Sequence, residues 1–188
     1  MPQIILASKS PRRQELLKHI VPEFEIRTKE TEEVYPNNIA AKDVPVYLAQ
    51  LKAKAFIASM KDNELIITSD TVVAMKGVLY GKPKDREDAI DILKQISGNS
   101  HEVITGVCLR SKNTEVLFSE LTKIKFRDLS KTEIEYYVDN YQPYDKAGAY
   151  AIQEWIGMVG IEKIEGDYFN VMGLPLFRLN QELQKLRT

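Results

Sequence analysis

The chain is predicted to be an α/β protein with a mixed central sheet flanked by helices. Short apolar runs of strand character alternate with capped helical patterns as far as Ser100, and from His101 two long β patterns follow one another as in a hairpin. Its 188 residues suffice for one domain, or for two lobes, with a full hydrophobic core.

Ile4–Ala7 reads as a buried strand. Ser10 offers an N-cap and Pro11 suits the first helical position, where its missing N–H leaves no bond unmade, so a helix runs through about His19. Phe24–Thr28 is a further strand, followed by the acidic stretch Glu30-Thr31-Glu32-Glu33 and a Pro/Asn loop. Asp43 and Pro45 open a second helix, to about Met60, with Leu48, Leu51, Ala55 and Phe56 on one face. Leu65–Thr68 and Thr71–Met75 form an apolar β-run interrupted by Ser69-Asp70. Lys76-Gly77 is a hairpin turn into Val78–Tyr80, which Gly81-Lys82-Pro83 ends. Asp85 caps a helix whose core face is Ala89, Ile92, Leu93 and Ile96, closed by Gly98. The long strands lie near His101–Arg110 and Thr114–Phe126. Ser130-Lys131-Thr132-Glu133 is a capping box for a helix to about Asn140, at the centre of a smaller lobe around residues 128–145 within one domain over residues 1–188. A glycine-punctuated β segment covers Gly148–Ile164, and a last helix begins near Leu174-Pro175.

Composition narrows the function classes. Lys+Arg 26 against Asp+Glu 27 leaves a formal net charge of -1, so no global field draws nucleic acid or anionic membrane, and any anion site must be local. The single cysteine, Cys108, excludes an internal disulfide framework and a cysteine-rich zinc site; within Val107-Cys108-Leu109 it reads as a packed core thiol. The first residues lack the basic and long apolar regions of a signal peptide, and no stretch is long enough to span a bilayer. The expectation is a soluble cytoplasmic protein with no nucleic-acid or membrane partner.

Four features fit structure alone poorly. Ser8-Lys9-Ser10-Pro11-Arg12-Arg13 gathers free N–H groups, hydroxyls and two guanidiniums at one helix start. That terminus favours anions, whereas Arg12 and Arg13 are unfavourable there unless an anion neutralises them; solvated surface arginines are the plain alternative. Asp70 stands where a strand prefers a branched apolar residue, so it must be paired, metal-bound or exposed at a sheet end, or else form an Asx turn at a strand break. Lys52 falls inside the apolar arc of its helix while Lys54 points away, so it either snorkels out or reaches an acid or phosphate. Lys82 is mounted between Gly81 and Pro83 beside a strand expected to pair with that of Asp70; an ordinary turn lysine looks the same. His19 is expected at a helix end and His101 as a hydrogen-bonded structural residue. Without grouped Cys or His, any metal should be hard and oxygen-bound, Mg²⁺ or Mn²⁺, on Asp70 and an acid from Glu32 or Glu33.

Taken in order, Leu6-Ala7-Ser8-Lys9-Ser10-Pro11-Arg12-Arg13, Leu48-Ala49 with Lys52-Ala53, Ser69-Asp70-Thr71-Val72-Val73, Gly81-Lys82-Pro83, Leu93 with Ser97-Gly98 before His101, Lys146–Gln153 and Asn170–Pro175 resemble the Maf family of nucleoside triphosphate pyrophosphatases almost end to end. The resemblance implies two lobes with a nucleotide cleft, similar to inosine triphosphate pyrophosphatase-like folds. It implies hydrolysis of a nucleoside triphosphate to the monophosphate and pyrophosphate with a divalent cation, by a homodimer. Asp70 matches the position proposed as proton acceptor; Ser8, Arg13, Lys52 and Lys82 match phosphate-contacting positions; Glu33 matches an acidic active-site position, with Glu32 beside it.

At Arg12, Thr71 and Gln153 the sequence is similar to the branch acting on dTTP and UTP. Uracil and thymine present an N3–H between two carbonyls, which the Gln153 amide can meet with one acceptor and one donor. An Arg12 donor at O4 would face a second donor in cytosine, a basis for rejection. Modified pyrimidine triphosphates are compatible with the same residues. Two other readings stand beside this one: a pyrophosphatase for 7-methyl-GTP or another modified nucleotide, and a nucleotide-binding regulator of septum formation. The expected chemistry is in-line attack of water at the α-phosphorus, with Asp70 accepting its proton or holding the metal. Lys52, Lys82, Arg13 and the metal would stabilise the developing charge.

Overall fold

The computed structural model describes residues 2–186. In chain order the elements are β1 (Gln3–Leu6), α1 (Pro11–Lys18), β2 (Glu25–Ile26), α2 (Val44–Lys54), β3 (Glu64–Met75), β4 (Val78–Tyr80), α3 (Arg86–Ile96), β5 (Ser100–Arg110), β6 (Glu115–Phe126), α4 (Lys131–Tyr141), α5 (Trp155–Gly160), β7 (Ile161–Glu165), α6 (Tyr168–Met172) and α7 (Leu176–Lys185). The strands form a mixed sheet in the order β2-β1-β3-β5-β6-β7, with β4 pairing β3 off that path. The architecture is the mixed sheet with flanking helices that the sequence predicts.

The chain divides into two compact units, one of residues 1–71, 105–120 and 173–188, the other of 72–104 and 121–172. In the first, β1 runs parallel to both β2 and β3, with Ile5 opposite Glu25 and Ile66. Ile5, Leu6, Ile66 and Ile67 are fully buried, as expected of parallel strands covered on both faces. In the second unit, β4 folds back antiparallel on β3 with Val73 opposite Tyr80, through Lys76 and Gly77 at φ 51° and 80°. Both turn residues at positive φ give the tight hairpin that Lys76-Gly77 suggests. Its core packs Ala89, Leu93 and Ile96 of α3 with Ile134, Tyr137 and Val138 of α4 and with Phe126, Ala149 and Ile156. The capping box closes as expected, Ser130 and Glu133 each bonding the other's backbone N–H.

Three expectations fail locally. The β-run is not interrupted at Ser69-Asp70: β3 passes straight through Asp70, because the carboxylate is paired rather than turned into a strand break. The second helix stops at Lys54, and Ile57–Ser59 is a 3₁₀ turn. That turn lets Phe56 and Met60 reach Ile5 and Ile66 in a small buried cluster. Gly148–Ile164 is not a β segment. Gly148 and Ala149 take positive φ, 71° and 59°, and end any strand there. Residues 155–160 form a helix that buries Ile156, Gly157 and Gly160, leaving only Ile161–Glu165 in the sheet. Among the described residues no helix is long and apolar enough to cross a membrane.

Candidate active site

The first unit brings α2 and β3 together through small residues. An added Cβ on Gly106 would lie 2.2 Å from Val46 N and 2.3 Å from the Pro45 carbonyl carbon, so only glycine lets the start of α2 settle on β5. Ala49, Ala53 and Cys108 continue the contact, each fully buried. Burial pushes the Cys108 thiol up to about 12, the inert core thiol the sequence suggests. The Thr68 hydroxyl donates to Ala49 O at 2.7 Å and ties β3 to the turn of α2 before Lys52.

Lys52 therefore emerges over Asp70. Its Nζ donates to Asp70 Oδ1 at 2.5 Å and meets Glu33 Oε1 at 2.9 Å. The side chain of Asp70 is 12 % exposed and that of Glu33 is 55 % exposed, so the ammonium joins a buried acid to an acid on the rim. Glu33, not Glu32, makes the contact. Among the described residues Asp70 forms no further side-chain hydrogen bond, so Oδ2 stays available to a ligand. Asp70 and Glu33, with water and phosphate oxygens, are a hard oxygen set of the kind Mg²⁺ or Mn²⁺ takes, and the Lys52 ammonium marks the point where they already attract a cation. Among the described residues no cluster of three or more His, Cys, Asp or Glu forms a metal site.

The start of α1 is built as predicted: Ser10 Oγ accepts from Arg13 N at 3.5 Å, and buried Ser8 accepts from Ser10 N at 3.2 Å through Oγ, leaving its own O–H to donate. Arg13 lies over β3 rather than in solvent. Its Nε donates to Gly173 O at 2.9 Å, Nη1 to Ser69 O at 2.9 Å and Nη2 to Thr71 Oγ1 at 3.0 Å. Gly173, at φ 108°, has its missing Cβ position 3.2 Å from Arg13 Nε. Burial lowers the Arg13 pKa, opposed by the charge of Asp70. Arg13 thus brackets Asp70 by the residues on either side of it, and two of its five N–H donors remain for an anion. Thr71 also pairs with Thr105 Oγ1 at 2.9 Å. Arg12 is half-buried in the first turn of α1.

Lys82 and Gln153 lie in the second unit. Lys82 is exposed just after β4, its mount held by Gly148 N donating to Gly81 O at 3.1 Å. Gln153 is half-buried in a turn whose ends are joined by Glu154 N donating to Ala151 O at 3.1 Å. His101 bonds Tyr150 Oη through Nε2 at 2.7 Å and is structural, as expected, and His19 is exposed at the end of α1. Sequence reasoning gave no part to Gly106, Thr68, Thr105 or Tyr137. A glycine inside the strand pattern Ile104-Thr105-Gly106-Val107 was the one available signal, since it marks a close backbone approach.

The model of the Maf-like protein family matches residues 3–186. A protein of Flavobacterium johnsoniae named dTTP/UTP pyrophosphatase is 48 % identical over 184 residues, covering 98 % of this chain and 95 % of the relative. A protein of the same name from Phocaeicola vulgatus is 50 % identical over 185 residues, covering 98 % and 96 %. Among solved structures, the Staphylococcus aureus Ham1 protein aligns with a TM-score of 0.56 at 16 % identity, over 99 % of this chain and all of that one. A HAM1 protein from Coxiella burnetii aligns at 0.52 and 13 %, over 98 % of this chain and all of its own; at such identities the likeness is one of fold.

Proposed function

The chain belongs to the Maf family, and from that premise we propose that it hydrolyses dTTP and UTP to the monophosphate and pyrophosphate. The observation that carries the chemistry is Asp70: a carboxylate on a buried strand, held through Oδ1 by Lys52 and left with Oδ2 available. A buried acid with one cation and one unused oxygen is placed to act on a ligand rather than to hold the fold. In the proposed step a water oxygen bonds to the α-phosphorus, the bond to the α–β bridging oxygen breaks, and pyrophosphate leaves. Asp70 takes the water's proton. Lys52 holds that carboxylate in place through Oδ1 and offers positive charge to the phosphoryl oxygens. In the alternative role of Asp70 as a metal ligand, Mg²⁺ or Mn²⁺ held by Asp70 and Glu33 would supply charge neutralisation of the phosphates and acidify a bound water.

The Ser8 hydroxyl and the two remaining donors of Arg13 are assigned to phosphate oxygens, and Lys82 to the same role. Arg12 and Gln153 are assigned to the base. Thr71 has its hydroxyl engaged by Arg13 and Thr105, so its contribution to specificity is to set their positions. A homodimer, supported by the family resemblance, belongs to the same proposal, as does the cytoplasmic location expected from the sequence.

Ion-exchange analysis of products from UTP, dTTP, CTP, GTP and 7-methyl-GTP, with Mg²⁺ or Mn²⁺, tests the reading. Monophosphate and pyrophosphate from UTP and dTTP are expected. Turnover of 7-methyl-GTP instead would overturn the specificity, and tight binding without turnover would favour a regulator. Arg12→Ala should narrow the kcat/KM ratio of UTP to CTP by about tenfold; an unchanged ratio removes Arg12 from base reading.

A further inference from the structure

Gln153 stands third in a four-residue turn, Ala151–Glu154, and one buried phenol grips both ends of that turn. The Tyr137 hydroxyl of α4 accepts from Ala151 N at 3.2 Å and donates to Glu154 Oε2. Tyr137 is fully buried, its ring stacked on Tyr141 with centroids 5.0 Å apart. The other oxygen of Glu154 lies 3.4 Å from the Nζ of Lys146, itself nearly buried and bonded to Asp145 Oδ1 at 2.7 Å. Ile152 anchors the turn in the core, and an added Cβ on Gly157 would come 2.0 Å from Ile152 O, so α5 lies directly against it. Of the four turn residues, Gln153 has neither a core anchor nor a bond to the phenol, which leaves its amide available to a ligand.

We propose that Tyr137 is a positioning residue for nucleobase selection, fixing through Ala151 and Glu154 the turn that presents Gln153. The proposal rests on the assignment of Gln153 to the base. A rigid mount matters because an amide discriminates one base edge from another only if its orientation is held. A loosened turn lets Gln153 adapt to cytosine as readily as to uracil.

The test is steady-state kinetics with UTP and CTP on Tyr137→Phe, Glu154→Ala, Glu154→Gln and Gln153→Ala, each checked for folding by circular dichroism. Losing the phenol's two hydrogen bonds should raise KM for UTP about fivefold with kcat within about twofold, and narrow the UTP-to-CTP ratio of kcat/KM by a similar factor. Glu154→Ala should do the same and carries the test if Tyr137→Phe does not fold. Glu154→Gln, which keeps an acceptor for the phenol, should retain the original ratio. The proposal is overturned if folded Tyr137→Phe and Glu154→Ala keep the original ratio while Gln153→Ala relaxes it. It is overturned equally if Tyr137→Phe lowers kcat alike for both nucleotides. If Gln153→Ala itself leaves the ratio intact, the base-reading assignment fails and this one falls with it.

Discussion

Two lysines in this molecule each meet two carboxylates, and their surroundings leave them with different hydrogen-bonding capacity. Lys52 joins Asp70 and Glu33, and Lys146 joins Asp145 and Glu154. Around Lys146 the buried acceptor is satisfied: Glu154 gives one oxygen to the lysine and the other to Tyr137. That phenol is held protonated by burial and by its bond to Glu154. Around Lys52 the balance is incomplete. Asp70, the buried acid, has one bonded oxygen, and the neighbouring guanidinium of Arg13 bonds neutral oxygens rather than an anion. Residue type and charge count are the same in both places. Spare hydrogen-bonding capacity is what separates them, and it underlies the proposal that Asp70 acts on a ligand while Glu154 holds a turn, since every satisfied buried polar group resists rearrangement.

The largest expected effect breaks this comparison if it fails. Asp70→Asn keeps the shape and an acceptor for Lys52 but cannot take a proton from water. Turnover of dTTP should fall by about a thousandfold or more, with the dissociation constant for dTTP within a few-fold of the original by calorimetry. The matching change in the other cluster, Glu154→Gln, should leave kcat within about twofold. An active Asp70→Asn protein would remove the base role and the ligand role together.

Arg13 sharpens the comparison, because it is both strut and candidate phosphate ligand. A lysine supplies the charge but not the planar fork that reaches Gly173 O, Ser69 O and Thr71 Oγ1 at once. Arg13→Lys should destabilise the ligand-free protein by about 3 kcal/mol, roughly one for each of the three bonds, and lower its melting temperature by about 6–12 °C. If Arg13 served phosphate alone, the ligand-free melting temperature would not move and only KM would rise.

These distinctions were partly legible in the sequence. Capping residues, the Lys76-Gly77 hairpin and the alternation of strand and helix are local signals, and the elements formed where they pointed. Asp70 and Lys52 stood out because a charge in an apolar pattern needs a partner, and each proved to be the other's. What was not legible depended on contacts distant in the chain. The three acceptors of Arg13 include a carbonyl 160 residues away, so its first-turn position suggested only an anion site. Gly148–Ile164 resembles a β segment because glycines and apolar residues alternate loosely there; the positive φ at Gly148 and Ala149 goes with close packing from elsewhere in the chain, where a Cβ added at Gly148 would lie 2.9 Å from Val73 Cγ2.

The smallest expected effect places pH sensitivity of the fold in the second unit. His101 is 2 % exposed, its Nε2 on Tyr150 and its ring against Phe126, and Nδ1 has no partner among the described residues. Burial lowers its pKa from the ordinary 6.5 to about 4, so the folded protein holds it neutral. Between those values the unfolded chain binds the extra proton, and stability rises with pH. The contribution is fully present above the unfolded value, is lost as pH falls through the window, and is gone below the folded value. Going from about pH 7 to about pH 5 should remove about 2 kcal/mol, read as a falling urea midpoint. His101→Gln keeps a hydrogen-bonding group beside Tyr150 without titrating and should flatten that slope. An equal slope in His101→Gln would assign the pH dependence to other groups and leave His101 a purely packed residue.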